Sequence, residues 1–197
     1  MPEESQVVFS TKFFAIEEIQ SRAIDQPGSY FRLVGPDSSL VCVFDHQSRV
    51  LLVKQFRPSI DDYTLEFPAG AVDPGETALE AARREALEET GYRIELATLG
   101  SHYHLLTNRT NIKMHLHCGR TLEHEPASLP ESGVQLVWFS RAELLEASLD
   151  GRFRQLGGLG LLQILSGVIG QDVWRCSTED LQSALDKLFM EPSDPDE

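Results

Sequence analysis

The sequence predicts an α/β or α+β chain, and three observations carry that reading. Segments of strand character lie on both sides of a sharply marked helix between Thr77 and Gly91. Two further amphipathic helical stretches follow, at 159–169 and 178–190. The 197 residues suffice for one domain with a sizeable core and a small appendage. Periodicity alone leaves the α/β and α+β classes both open.

VVFSTKFFAI, residues 7–16, mixes β-branched and aromatic side chains and reads as a strand. Residues 29–34 read as another, between turns at Pro27-Gly28 and Gly35-Pro36. Residues 1–38 are therefore taken as a small β-rich N-terminal extension and 39–190 as the main domain. LVCVFD (40–45) and VLLVKQF (50–56), separated by HQSR, form a hairpin of largely buried strands. Residues 64–67 are a short strand leading into Pro68-Ala69-Gly70. After the marked helix come strands at 92–96, 112–118 and 134–139. A helix at 141–148, capped by Ser140, precedes the two C-terminal helices. The closing EPSDPDE, residues 191–197, is acidic and broken by proline, and is read as a disordered tail.

Composition narrows the functions. A formal charge of −14 argues against a nucleic-acid surface, which needs a basic stripe. The N-terminus, MPEESQVV, lacks the pattern of a signal peptide, and the longest apolar run is too short for a bilayer. Cys42, Cys118 and Cys176 are odd in number and far apart in sequence, as expected of free thiols. These points predict a cytoplasmic protein with neither a membrane nor a nucleic-acid partner.

The marked helix is the most informative element. Pro74-Gly75 makes a turn, Thr77 and Glu80 have the spacing of a capping box, and Gly91 suits a left-handed end. Leu79, Ala82 and Ala86 share one face and are expected to meet the core. Ala81, a turn before Glu85, is small and is expected to leave room for a ligand. Glu85, Glu88 and Glu89 are crowded by their spacing at the C-terminal end. Each like-charge pair there costs about 0.2–0.5 kcal/mol, and the helix dipole adds about 0.3–1 kcal/mol. A hard cation with oxygen ligands turns that repulsion into coordination; a solvated acidic face is the alternative, and the glutamates alone favour it. Two H-x-H pairs, His102/His104 and His115/His117, read as ordinary sheet histidines, since no third ligand sits at metal spacing.

The flanking residues change the balance. Gly70, Glu76, Arg84, Glu85, Ala86, Glu88, Glu89, Gly91 and Tyr92 fit the pattern G-x5-E-x7-R-E-U-x-E-E-x-G-U, with U aliphatic. The stretch resembles the Nudix box; Ala86 is small for its slot and Tyr92 aromatic. Gln55-Phe56-Arg57 followed by Glu66-Phe67-Pro68-Ala69-Gly70 resembles the subset of ADP-ribose pyrophosphatases and nucleotide-sugar diphosphatases. The Ser-Pro-Gly-like segment that accompanies ADP-ribose selectivity in that subset is absent. HLLTNRTNIKMH, 104–115, stands in its place, so the group beyond the diphosphate stays open.

The resemblance implies an α/β/α sandwich around a mixed sheet and magnesium-dependent hydrolysis of a nucleoside diphosphate linked to a sugar, with manganese as the alternative cofactor. It implies Glu85, Glu88, Glu89 and the Ala69 carbonyl as metal ligands, Arg84 as the residue that orients the glutamates, and Glu76 as its support. Arg57 and Glu66 are implied at the diphosphate, with an Arg57–Glu66 salt bridge as the structural alternative. Arg109 and Asn111 are candidate substrate contacts. A later-loop glutamate, from Glu123, Glu125 and Glu131, serves relatives as base or extra ligand, and Glu131 fits the layout best. The N-terminal extension resembles the one relatives use to form homodimers. A catalytically silent nucleotide-binding module, and hydrolysis of other nucleotides such as NADH or dinucleoside polyphosphates, are the competing readings.

Overall fold

The computed structural model describes residues 5–21 (Ser21 by its backbone alone), 28–123 and 126–190. Pro27, Glu125 and the acidic tail, about which the sequence made predictions, lie outside the described residues. Strands β1 (Ser5–Ser10), β2 (Ala15–Ser21) and β3 (Gly28–Val34) form a three-stranded antiparallel sheet. The single strand expected at 7–16 is broken in two. Thr11 makes the break: its hydroxyl oxygen accepts from the Phe13 and Phe14 N–H groups, so the chain turns before Ala15. Such local side-chain bonds compete directly with a ladder.

A mixed seven-stranded sheet makes up the main body. It contains β4 (Ser38–Phe44), β5 (Val50–Arg57), β6 (Asp62–Glu66), β7 (Ala69–Ala71), β8 (Ile94–Tyr103), β9 (Met114–Thr121) and β10 (Gln135–Phe139). The order is β10-β5-β4-β9-β8, with β6 beside β5 and β7 beside β4. β4 and β9 are parallel; the other pairs are antiparallel. Helices α1 (Ala78–Thr90), α2 (Arg141–Leu149), α3 (Leu156–Ile169) and α4 (Thr178–Met190) cover the two faces.

Strand alternation sorts the core. Leu40, Cys42 and Phe44 of β4 point to a cluster with Leu144 of α2, Leu161, Leu162 and Leu165 of α3, and Leu181 and Leu185 of α4. Val41 and Val43 point the other way, to Ala86 of α1, Tyr92 and Ile94. A buried leucine contributes about 1.5–3 kcal/mol of transfer free energy, which anchors each helix against the entropy of ordering it. Two thiols that are distant in sequence, Cys42 and Cys118, become register partners on β4 and β9, both free and buried.

The expected helices form, with boundary shifts. The strand expected at 92–96 begins at Ile94 and runs on to Tyr103, and β7 was not expected at all. Ala81 is fully buried, so it belongs to the core and leaves no ligand space. Leu79, expected at the core, is half-buried.

Candidate active site

Helix α1 brings the acidic cluster to β7. Its start is held by a reciprocal cap, in which Thr77 Oγ1 accepts from Glu80 N at 3.2 Å and Thr77 N donates to Glu80 Oε2 at 2.8 Å. Gly91, at φ 74°, ends the helix and donates to Leu87 O. The following loop then satisfies carbonyls at that end: Ala127 and Ser128 N–H groups bond to Gly91 O, and Glu131 N–H bonds to Glu88 O at 2.9 Å. This packing requires glycine twice over, because a Cβ on residue 91 would lie 2.0 Å from Ser128 O.

The same helix lays Glu85 across β7. A Cβ on residue 70 would lie 1.9 Å from both Cδ and Oε1 of Glu85, so Gly70 is the floor on which that carboxylate rests. Glu89 sits beside it, 6% exposed, with Oε2 accepting from Ala69 N at 3.1 Å. Burial pushes the Glu89 carboxyl up to about 7; the Ala69 N–H opposes this, the Glu85 charge adds to it, and Arg57 opposes it. Burial also raises Glu85, against the pull of Arg84, with the Glu88 and Glu131 charges pushing the same way as burial. The charge of Glu131 therefore acts on Glu85, although Glu131 itself is exposed.

Arg84 organises the acids. Its Nε and Nη2 donate to the two Glu76 oxygens at 3.0 and 2.9 Å, and Nη2 also reaches Ala71 O at 2.9 Å. Nη1 donates to Glu85 at 2.7 Å and, more weakly, to Glu88 at 3.3 Å. The i,i+4 contact with Glu88 is thus longer than those with Glu76 and Glu85. Hydrogen bonds from Arg84 hold the Glu76 carboxyl below the usual range.

Arg57 and Glu66 meet one another. Arg57 Nε donates to Glu66 Oε1 at 2.8 Å and Nη2 donates to Oε2, while Thr64 Oγ1 donates to Glu66 as well. Burial pushes Glu66 up, but the Arg57 and Thr64 bonds outweigh it, and the carboxyl stays below its ordinary value. The charges of Arg57 and Glu66 both act on Glu89, in opposite directions.

Arg109 and Asn111 lie on the 104–113 loop. Arg109 donates to Tyr30 Oη at 3.2 Å and stacks over that ring, while its carbonyl accepts from Leu33 N. Thr110 Oγ1 donates to Leu33 O. These bonds tie the 104–113 loop to β3. Asn111 is exposed on the same loop. Of the H-x-H pairs, His117 is buried and its Nε2 has no hydrogen-bond partner among the described residues, and burial lowers its pKa to about 4.

Among the described residues, no three His, Cys, Asp or Glu side chains enclose a metal site by themselves. The donor chemistry nevertheless suits a hard divalent ion. Glu85, Glu88 and Glu89 offer oxygens only, two of them desolvated and mutually repelling. An ion that retains water and accepts substrate oxygens needs only a few carboxylates.

Residues 36–156 match the model of the NUDIX domain. The chain belongs to the Nudix family. Nudix hydrolases generally use divalent metals. The chain is 56% identical over 52 residues to the ADP-sugar pyrophosphatase of Mus musculus, covering 26% of this chain and 24% of that protein. It is 54% identical over 43 residues to the ADP-ribose pyrophosphatase of Saccharomyces cerevisiae, covering 22% and 19%. A CMP-5'-(N-acetyl-N-hydroxy-3-aminopropyl)phosphonate hydrolase of Streptomyces rubellomurinus is 29% identical over 133 residues, covering 66% and 64%. The chain thus spans under two thirds of the length of these relatives. A crystal structure of an ADP compounds hydrolase shares the Nudix fold, at TM-score 0.69 and 20% identity over 86% of this chain and 95% of that one. Among the described residues no helix is long and apolar enough to cross a membrane.

One residue that sequence reasoning missed is Gln155. Its side-chain oxygen accepts from Phe67 N at 3.0 Å, across 88 positions of sequence. Nothing in the local sequence signals this contact, because it is made only when α3 docks on the sheet.

Proposed function

We propose that this protein hydrolyses the diphosphate bond of a nucleoside diphosphate linked to a sugar, ADP-ribose or a nucleotide sugar, to give a nucleoside monophosphate and a sugar phosphate. The observation that carries the reading is the Glu85 carboxylate resting on Gly70 beside the buried Glu89, with Arg84 aligning the acids. A solvated acidic face has no need of a glycine floor or of a carboxylate held in burial.

Glu85 and Glu89, with Glu88 and the Ala69 carbonyl, would hold magnesium, with manganese as the alternative. Such an ion supplies neutralisation of phosphate charge and a more acidic bound water. Arg84 keeps the carboxylates in register and Glu76 braces Arg84. Glu131, tethered through its backbone to Glu88 at the rim, is the group we assign as base or additional ligand. Arg57, positioned by Glu66, supplies planar positive charge for the diphosphate. Arg109 and Asn111 are assigned to the outer part of the substrate, on a loop anchored by β3.

Residues 1–38 are assigned as a dimerisation extension to a catalytic domain at 39–190. Val7, Phe9, Phe13 and Phe31 expose apolar surface on it, which a second copy would cover. Three free thiols suit the cytoplasm, and the charge of −14 suits a small nucleotide better than a nucleic acid. The names of the mouse and yeast relatives support the substrate class.

The test is a screen of ADP-ribose, GDP-mannose, UDP-glucose, NADH, diadenosine polyphosphates and nucleoside triphosphates with magnesium, with products identified in oxygen-labelled water. Turnover of sugar-linked diphosphates is expected, and preference for triphosphates or no turnover at all would overturn the reading.

A further inference from the structure

The segment Glu66–Gly70 carries the floor of the site, and each of its residues is held by a different partner. Glu66 is held by Arg57 and Thr64. Pro68 O accepts from Val41 N at 3.0 Å, Ala69 N donates to Glu89, and Gly70 pairs with Ser39. Phe67 N alone turns to the opposite helical layer, where Gln155 Oε1 accepts it at 3.0 Å.

The surroundings lock this contact. Phe153 forms a bridge with Leu65 and packs its ring 5.2 Å from that of Phe67. Arg154 donates to Asp62 at 2.8 Å. Gly158 is buried, and a Cβ there would lie 2.9 Å from Gln155 Oε1, 2.8 Å from Phe153 Cζ and 2.9 Å from Phe67 Cδ2. The residues before α3 therefore run alongside β6, and Gln155 closes that seam two residues before Ala69. Phe67 is fully buried, so an N–H there without an acceptor costs about 1–3 kcal/mol. The segment would shift to relieve it, carrying Ala69 away from Glu89.

We propose that Gln155 is a positioning residue for the metal-carrying segment: by accepting the Phe67 N–H, it holds the Ala69 backbone where Glu89 meets it. The proposal rests on the function proposed above, and its test separates the two. Gln155→Met keeps the length and removes the acceptor; Gln155→Glu keeps an acceptor. Magnesium chloride binding is measured by calorimetry without nucleotide, alongside melting curves and kcat and KM on whichever sugar-linked diphosphate the wild type turns over.

The expected result is that Gln155→Met binds magnesium about 10-fold more weakly and loses kcat at fixed magnesium, with KM changed less than about twofold at saturating metal. Gln155→Glu is expected to stay within about twofold of the wild type in metal affinity. A lowered melting temperature with unchanged magnesium affinity would assign Gln155 a purely structural role and overturn the proposal. Equal losses in Gln155→Met and Gln155→Glu would overturn it too. If Gln155→Met does not fold, Gln155→Ala takes its place under the same criteria. A wild type that binds magnesium but turns nothing over defeats the functional reading and leaves the calorimetric comparison decisive for Gln155.

Discussion

Glu89→Gln makes the site's internal conflict measurable. In the protein without divalent metal, the Glu89 carboxyl is held at about 7, against an ordinary 4.5, chiefly by burial. The folded state thus binds a proton that the unfolded chain has released between those two values. Stability must fall as pH rises through that window. This component is fully present below about pH 4.5 and is lost once the pH passes about 7. At about 1.4 kcal/mol per pH unit, the ionised folded state is penalised by about 3 kcal/mol. Glutamine retains the oxygen that accepts from Ala69 N but cannot ionise. In chelator at pH 8, Glu89→Gln should therefore be more stable than the wild type by up to about 3 kcal/mol. That corresponds to roughly 6–12 °C in melting temperature for a domain of this size. At pH 4.5 the difference should vanish. Magnesium should then stabilise the wild type at pH 8 more than the variant, through mass action on the folded state. Denaturant titrations at pH 4.5, 6, 7 and 8, with chelator and with magnesium, decide it. A wild type equally stable at pH 4.5 and 8, or a variant less stable at pH 8, would refute the picture of a desolvated acid.

Three further outcomes are expected. Gly70→Ala places a Cβ within 1.9 Å of the Glu85 carboxyl, so it should displace that side chain and cost at least about 100-fold in kcat, read by steady-state kinetics on a folded variant. Arg84→Lys keeps the charge but loses the fork that reaches Glu76, Glu85 and Ala71 together, and should lower kcat about 10- to 100-fold; wild-type turnover would remove the aligning role. Glu131→Gln should remove one limb of the pH–rate profile and slow turnover about 100-fold if Glu131 is the base, and an unaltered profile would leave it as a loop anchor.

Legibility in the sequence followed the range of the interaction. Helix α1 was readable because its signals are local: the Thr77–Glu80 box, the Gly91 end and the ALEAARREALEET interior all act within one turn. The C-terminal helices and the buried hairpin were readable from patterning for the same reason. β7 escaped because three residues show no periodicity; Ala69–Ala71 is a strand only because Ser38–Leu40 lies beside it. The break at Thr11 escaped because a strand-rich composition hides a hydroxyl that bonds three residues ahead.

The site divides along the same line. Spacing could place Glu85, Glu88 and Glu89 on one face, but only the fold shows that they differ: Glu89 is sealed, Glu85 lies on Gly70, and Glu88 is open to solvent. That difference carries chemistry. A buried carboxylate that resists ionisation gains most when a cation arrives, whereas an exposed one gains little because water already solvates it. Glu89 should therefore dominate the affinity for metal and Glu88 contribute least. Glu88→Gln, measured beside Glu89→Gln by calorimetry with magnesium chloride, should lose less than about threefold in affinity where Glu89→Gln loses more than about tenfold. The reverse order would mean that burial is not what sets the strength of the site.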